Sequence, residues 1–319
     1  MNLQTRTHRA ELLLILKLSL CERTKAKRKR KRKRQEAEGM EAVTVTVMGC
    51  RGRSTSNSNQ ELGNGRREGA TAQVIVVDDD DGIEKDSTET ELTKISLMRA
   101  LVETRDPSSK EEDDFMIRRF LRARDLDVDK ASAMFLKYLK WRRSFVPNGY
   151  ISLPEIPNEL AHNKMFAQGR DKRGRPIAIV FGAKHFQNKD GLDEFKRFVV
   201  YAFDKLCARM PHGQEKFVGI GELKGWGYSN SDVRGYINAL TILQDYYPER
   251  LGKLFILHAP YIFMKVWKMI YPFIDNKTKK KIVFVENKQL KSTLLEDIDE
   301  SQLPEIYGGQ LPLVPIQHC

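Results

Sequence analysis

Residues 217–257 read FVGIGELKGWGYSNSDVRGYINALTILQDYYPERLGKLFIL, and their pattern indicates the fold class most clearly. It begins and ends with apolar, β-prone runs, Phe217 to Ile220 and Leu254 to Leu257, each about as long as one buried strand. Between them, apolar residues recur at helical spacing from about Asp232 to Tyr247. Strands joined by a helix in this way usually lie parallel, with a right-handed crossover. The sequence therefore predicts a β-α-β unit of a mainly parallel sheet.

The same alternation of strand and helix continues on both sides of this unit. Upstream, Ile177 to Phe181 is typical of a buried strand, and a helix with one apolar face follows from about Leu192 to Arg209. Downstream, Ile282 to Val285 is a further short apolar run. We therefore predict the α/β class, with four strands and crossover helices.

Three helical segments precede the alternating region. The first has apolar residues at helical spacing from Leu92 until Pro107, the second starts in the acidic stretch Glu111 to Asp114 and ends near Arg124, and the third runs from about Asp129 to Arg143. We predict a small N-terminal helical lobe, residues 88–145, followed by an α/β domain, residues 146–319.

The positive charge of the chain belongs to its N-terminal arm. Residues 1–39 carry +9 of the formal net charge of +12, largely through KAKRKRKRKR, Lys25 to Arg34. Such a run repels itself, and it can bind an anionic membrane or nucleic acid weakly, act as a nuclear address signal, or have no function. We predict that residues 1–87 are a disordered arm, and translation from Met40 would omit residues 1–39.

The remaining short patterns predict neither a membrane anchor nor zinc. The apolar run Leu12 to Leu20 has about nine residues, whereas a membrane-spanning helix needs about twenty. It also lacks a small-residue cleavage site, so we predict no secretory signal. The four cysteines lie far apart without a C-x-x-C pair, which favours a reducing compartment.

No pattern indicates an enzyme. The string VGIGELKG, residues 218–225, departs from a dinucleotide-binding turn because Gly225 comes one residue late. The six histidines show no H-x-x-x-H spacing, and G-x-S-x-G is absent from the sequence. His258 ends an apolar strand and is predicted to be a hydrogen-bonded core residue. The sequence therefore predicts no catalytic site, no metal and no cofactor.

One segment differs from an ordinary surface helix. Residues 261–274 read YIFMKVWKMIYPFI, with Lys265 and Lys268 as the only charges. A helix that is apolar nearly all round is either buried on both sides or faces a ligand or a membrane. It is followed by DNKTKKK, residues 275–281, which is either a solvated turn or a partner for an amphiphile with an anionic head.

Five strings carry a resemblance to a known family. They are FMIRRFLRARDLDVDKA, DKRGRPIAIVF, YYPERLGKLFILHAP, FMKVWKMIYPFIDNKTKKKI and LPEIYGG, in this order over about 225 residues. The chain resembles plant members of the CRAL-TRIO lipid-binding family, of the yeast secretory phosphatidylinositol/phosphatidylcholine-transfer type. The resemblance implies an α/β cage with a large lipid cavity closed by a mobile gate helix, here residues 261–274.

The resemblance also implies a lipid headgroup site. The family holds the phosphatidylinositol headgroup with four side chains, which fall here on Arg124, Glu249, Thr278 and Lys281. Thr278 and Lys281 would donate to the phosphate, and Glu249 would accept from inositol hydroxyls. The family commonly has Lys after the lobe Arg, whereas this chain has Asp125.

The gate helix is expected to contact the membrane. The gate and membrane-contact residues that the resemblance implies are Phe263, Met264, Lys265, Trp267, Lys268 and Ile270. Cations among apolar residues suit a segment that lies at the interface of a bilayer.

The phosphatidylcholine site of the family is not retained. Its two tyrosines fall on Ala167 and Ala178, and its Ser/Thr pair falls on Phe217 and Gly219. Without these hydroxyls we predict phosphatidylinositol binding without efficient phosphatidylcholine exchange, and a different hydrophobe as any second ligand.

Three functions follow from these patterns as hypotheses. The first is non-enzymatic phosphatidylinositol binding, with transfer between membranes or presentation at one, the bound phospholipid being the only ligand. The second is a phosphoinositide sensor that regulates a lipid kinase, such as a phosphoinositide kinase, or a trafficking partner. The third, the least favoured, is nucleic-acid binding through the basic tail. We expect a cytoplasmic monomer with transient peripheral membrane association, and a nuclear location if the tail is present.

Overall fold

The computed structural model of this chain describes residues 85–188 and 190–319. The predictions for the disordered arm, the basic run Lys25 to Arg34 and the alternative start at Met40 lie outside the described residues.

Three helices form the first part of the described chain. They are α1 (Lys85–Arg105), α2 (Asp114–Arg122) and α3 (Val128–Phe145). The carboxylates of Asp113 and Asp127 accept hydrogen bonds from the Met116 and Lys130 amides, at 2.6 and 3.1 Å, and so cap α2 and α3. These caps fix where α2 and α3 begin, and Pro107 ends α1.

The helices of this lobe pack around aromatic side chains. Phe120 and Phe135 are fully buried, with ring centroids 5.1 Å apart in an edge-to-face arrangement. Helix α1 begins before the predicted start at Leu92, because its first turns are polar and gave no apolar signal. Leu92 itself is 60% exposed and contributes little to the core.

The α/β part contains a sheet of five strands in the order β1-β2-β3-β4-β5. They are β1 (Met165–Arg170), β2 (Pro176–Phe181), β3 (Phe217–Glu222), β4 (Leu251–Leu257) and β5 (Ile282–Phe284). Strands β2 to β5 are parallel, which confirms the prediction of a mainly parallel sheet, and β1 is antiparallel to β2.

The prediction of four strands was wrong because it omitted β1. The sequence of β1, MFAQGR, contains no β-branched residue and so gives a weak strand signal. The strand is held by tertiary pairing: Met165 pairs with Val180 of β2, and the Ala167 amide donates to the Val314 carbonyl at 3.1 Å.

Helices cover both faces of the sheet. They are α4 (Pro157–Ala161), α5 (Leu192–Ala208), α6 (Val233–Tyr246), α7 (Tyr261–Ile270), α8 (Asn276–Lys280) and α9 (Leu290–Asp297). One face packs against α9 and the C-terminal segment, through a core that includes Val218, Ile220 and Phe255. The opposite face packs against α5, α6 and α7. Helix α9 was not predicted from the sequence.

The face of the sheet toward α5, α6 and α7 is lined by small residues. Ala178 pairs with Gly219 across β2 and β3, and Gly221 follows on the same face. Beside them, Val180 is 40% exposed although β2 has a strand on either side. Helices therefore leave part of this apolar face uncovered in the middle of the sheet.

Candidate functional site

Helix α7 lies on the small-residue face of the sheet. Its buried residues are Phe263, Val266 and Ile270, one to two turns apart. Phe263 meets the Trp226 ring edge-to-face with centroids 5.3 Å apart, and the pair clusters with Ile256 of β4. One stripe of α7 therefore closes over the sheet.

The other side of α7 faces solvent. Tyr261 is 83% exposed, and Lys265 and Lys268 are exposed on the same side of the helix. Met264 and Trp267 lie between the two sides and are half-buried. The alternative of a helix buried on both sides is therefore wrong, and α7 instead presents tyrosine and two cations outward.

Two of the four expected headgroup residues lie together at the start of β5. The Lys281 ammonium is 3.4 Å from a Glu249 carboxylate oxygen, and both side chains are largely buried, with 23% and 18% exposed. Glu249 has a positive φ of 57°, a backbone conformation that β-branched and bulky residues avoid. The turn between α6 and β4 thus holds this carboxylate beside Lys281.

Thr278 is positioned by the short helix α8. The Asp275 carboxylate accepts a hydrogen bond from the Thr278 amide at 2.8 Å, which caps the helix. The Lys281 amide in turn donates to the Thr278 carbonyl at 3.0 Å. The T-x-x-K spacing therefore puts Thr278 and Lys281 at the two ends of one helical turn.

Arg124 lies in the loop after α2, where its guanidinium donates to the Ala123 carbonyl at 2.9 Å. The next residue, Asp125, pairs with Lys277 of α8 at 2.9 Å. The hydrogen bond and the charge of Lys277 lower the pKa of Asp125. The lobe loop that carries Arg124 is therefore tied to the helix that carries Thr278, whereas the described contacts do not join Arg124 to Lys281 or Glu249 directly.

The four positions expected for phosphatidylcholine recognition form one apolar patch. Ala167 pairs with Ala178, and Ala178 pairs with Gly219. Ala167, Ala178 and Phe217 are buried in the same core. None of these side chains carries a hydroxyl group, so the patch offers a polar headgroup no side-chain hydrogen bond.

His258 accompanies a buried carboxylate at the carboxyl end of the sheet. Its Nδ1 lies 2.8 Å from the Glu222 carboxylate, and its side chain is 29% exposed. It is hydrogen-bonded as predicted, but it lies at the edge of the sheet instead of in the core.

Sequence reasoning missed a buried charged network next to α6. Lys164 donates to the buried Glu159 carboxylate and lies 2.8 Å from His185 Nδ1, and His185 Nε2 lies 3.2 Å from the Asp232 carboxylate. All four residues are at most 6% exposed. Burial lowers the pKa of Lys164, and Glu159 offsets part of that effect.

The last residue of this network, Asp232, caps α6 through the Gly235 amide at 2.8 Å. Burial alone would raise the pKa of Asp232, but hydrogen bonds from His185 and Gly235 lower it below its usual value. An open cleft of about 450 Å³ lies nearby, lined by polar and aromatic residues: Asn158, Glu159, His162, Phe186, Gln187 and Asn188. No signal in the sequence connects these segments, because the four network residues come from separate elements.

The described residues show neither a cluster of metal-ligating side chains nor a membrane-spanning helix. Among residues 85–188 and 190–319, no group of three or more His, Cys, Asp or Glu side chains is arranged to hold a metal ion. In the same part of the chain, every helix is too short or too polar to cross a bilayer.

Two family models match the chain. The CRAL/TRIO N-terminal domain matches residues 84–137, and the CRAL/TRIO domain matches residues 160–309. The Sec14 cytosolic factor of Schizosaccharomyces pombe is 33% identical over 214 residues, covering 62% of this chain and 74% of that protein. The chain belongs to the CRAL-TRIO family. Proteins of this family bind lipids, and the family suggested by the five strings is confirmed.

Other CRAL-TRIO relatives are similar over the same region. A CRAL-TRIO domain-containing protein of Saccharomyces cerevisiae is 31% identical over 227 residues, covering 62% of this chain and 71% of that protein. The phosphatidylinositol/phosphatidylcholine transfer protein SFH7 of Arabidopsis thaliana is 33% identical over 218 residues, covering 63% of this chain but only 40% of the relative. The sensor and nucleic-acid hypotheses gain no support from these comparisons.

A solved structure confirms the fold of this CRAL-TRIO chain. The crystal structure of Sfh5 superposes with a TM-score of 0.53 at 17% sequence identity, covering 74% of this chain and 92% of that chain. At this identity the likeness concerns the α/β fold and not the ligand.

Proposed function

We propose that this protein binds phosphatidylinositol, and transfers it between membranes or presents it at one, without catalysing a reaction. The observation that carries the proposal is the Lys281–Glu249 pair, 3.4 Å apart, at one end of the sheet face that α7 covers. A cation and a hydrogen-bond acceptor side by side suit a headgroup with a phosphate and several hydroxyls. The names of the Schizosaccharomyces and Arabidopsis relatives, a cytosolic factor and a phosphatidylinositol/phosphatidylcholine transfer protein, agree with this proposal.

The apolar face of the sheet suits the acyl chains of such a lipid. About thirty methylenes at about 0.8 kcal/mol each make desorption from a bilayer into water cost of order 20 kcal/mol or more. A carrier must therefore offer an apolar surface in return. Ala178, Gly219 and Gly221 keep one face of the sheet shallow, and Val180 is already 40% exposed there.

Helix α7 must move for the lipid to enter. Phe263, Trp226 and Ile256 form a cluster between α7 and the sheet, in the space that acyl chains would take. Because one helix stripe makes these contacts, α7 can leave the sheet as a unit, and lipid would replace the apolar contacts that are lost. We therefore assign α7 as the gate helix.

The outer side of the gate helix is proposed to meet the membrane. Exposed Lys265 and Lys268 would lie among anionic headgroups. Each cation would contribute roughly 1 kcal/mol to the binding free energy at an anionic membrane. Changing both to Met is expected to weaken binding to vesicles containing anionic lipid by about tenfold or more at low salt, with no change in thermal stability. Vesicle sedimentation measures the effect, and an unchanged bound fraction would contradict this membrane face.

Vesicle-to-vesicle transfer tests the function as a whole. With the full chain, labelled phosphatidylinositol is expected to move from donor to acceptor vesicles well above the spontaneous rate, and labelled phosphatidylcholine only slightly. The patch at Ala167, Ala178, Phe217 and Gly219 is the reason for the difference, because it lacks hydroxyl groups. Equal transfer of both lipids would refute the selectivity.

We further propose that the protein is a cytosolic monomer with transient membrane association, and that any second ligand is another hydrophobe.

A further inference from the structure

A row of basic residues marks one edge of the sheet. The residue immediately before each parallel strand is a cation: Arg175 before β2, Lys216 before β3, Arg250 before β4 and Lys281 before β5. Parallel strands all begin at the same edge, and neighbouring strands lie about 4.8 Å apart. Four cations are therefore brought to the edge where the proposed headgroup residues lie.

These four cations differ in their partners. Arg175 donates to the Asp171 carboxylate at 2.6 Å, and Arg250 donates to the Glu215 carbonyl at 3.1 Å. Lys281 is 3.4 Å from Glu249. Within the described part of the chain, the Lys216 ammonium has neither a hydrogen-bond acceptor nor an ion-pair partner.

The position of Lys216 follows from the strand register. Phe217 pairs with Leu251, and the Phe217 amide donates to the Arg250 carbonyl at 2.9 Å. Lys216 therefore lies across from the Glu249–Arg250 turn. Its side chain is half-buried, and burial, followed by the charge of Lys281, lowers the pKa of the Lys216 ammonium. The negative charge of Glu249 raises the pKa of Lys216 and offsets only part of the lowering.

A second cation beside Lys281 exceeds what one phosphodiester requires. Glu249 can balance one of the two ammonium groups, which leaves one positive charge half-buried without a counterion. A phosphate monoester carries a charge of about −1.5 to −2 near neutral pH and offers three strong acceptor oxygens. An inositol ring that bears such a group would supply the missing counterion.

We propose that Lys216 is a further anion-binding residue of the headgroup site, and that the site accepts a phosphatidylinositol monophosphate at least as well as phosphatidylinositol. This inference rests on the proposed function, because it places the lipid headgroup at Lys281 and Glu249. Lys216 would contact the additional phosphate, whereas Lys281 would hold the phosphodiester.

Lipid extraction by the full chain tests this assignment. Wild type, Lys216→Met and Lys288→Met are incubated with vesicles containing either phosphatidylinositol or a phosphatidylinositol monophosphate, and the lipid bound to the re-isolated protein is quantified. Lys288 is an exposed lysine that follows β5 at the opposite edge of the sheet, so its change removes the same charge elsewhere. Lys216→Met is expected to lose about tenfold in monophosphate binding and less than threefold in phosphatidylinositol binding. Lys288→Met should match wild type for both lipids.

The outcomes separate this inference from the proposed function. Wild type that takes phosphatidylinositol but no monophosphate, or a Lys216→Met variant that binds both lipids as wild type does or loses both equally, overturns the inference alone. Wild type that takes neither lipid refutes the proposed function as well. A further arm adds millimolar inorganic phosphate without lipid. If Lys216→Met extracts both lipids as wild type does, yet phosphate raises the melting temperature of wild type but not of Lys216→Met, Lys216 binds free phosphate and the assignment to a lipid is wrong.

Discussion

Replacing Lys281 by Met is expected to reduce the phosphatidylinositol that the protein extracts from vesicles by about tenfold to a hundredfold. A hydrogen bond to a charged group contributes about 1.5–3 kcal/mol, and this one would be formed where the Lys281 side chain is only 23% exposed. The measurement is the lipid bound per protein after re-isolation from vesicles.

The chain offers a matched control for Lys281 in the same basic segment. Lys280 is the residue before Lys281 at the end of α8, and it is exposed. Its replacement removes the same charge from the same segment and leaves the Lys281–Glu249 pair in place. Lys280→Met should therefore extract nearly as much phosphatidylinositol as wild type. Equal losses in both variants would indicate a general effect of charge and would contradict a headgroup contact at Lys281.

Replacing Lys164 by Met is expected to destabilise the fold by about 3–5 kcal/mol. The Lys164 ammonium pairs with Glu159 and also lies about 5 Å from the ring centres of Phe195 and Phe198. Glu159 is only 4% exposed, and the replacement leaves its carboxylate without a cation. Removing one partner of a buried ion pair destabilises a protein by about 3–5 kcal/mol. Urea unfolding at neutral pH measures the difference in free energy.

The double variant Lys164→Met with Glu159→Gln separates the pair from its packing. Because both charges are then removed, most of the lost stability should return, and the coupling energy follows from the two single variants and the double variant. A double variant as unstable as Lys164→Met would show that packing on Phe195 and Phe198 dominates.

The sequence predicts β2 and β3 well because most residues of these two strands are buried, so each forms a nearly continuous apolar run. The apolar runs at Ile177 and Phe217 need no knowledge of their neighbours to be recognised as strands. Strand β4 begins at Leu251, three residues before the predicted start, because Gly252 and Lys253 interrupt its apolar pattern. Those residues join the strand through the ladder with β3, which is a tertiary effect.

Some parts of the site are evident in the sequence and others are not. Thr278 and Lys281 belong to one short string, and their common helical turn follows from local structure. Lys216 had a signal of its own, since a basic residue precedes every parallel strand. The predicted starts of β2 and β4 hid it, because neither Arg175 nor Arg250 then immediately preceded a strand. The buried pair of Lys164 and Glu159 had no signal, because long-range packing alone removes these charges from water.

The most direct test of phosphatidylinositol binding is to identify the lipid that the full chain holds after incubation with permeabilised cells carrying labelled lipids. The protein is re-isolated, and its bound lipid is extracted and identified by mass spectrometry. We expect phosphatidylinositol or its monophosphate, close to one molecule per protein, with little phosphatidylcholine. Phosphatidylcholine alone, or protein free of phospholipid, would contradict the headgroup site at Lys281 and Glu249.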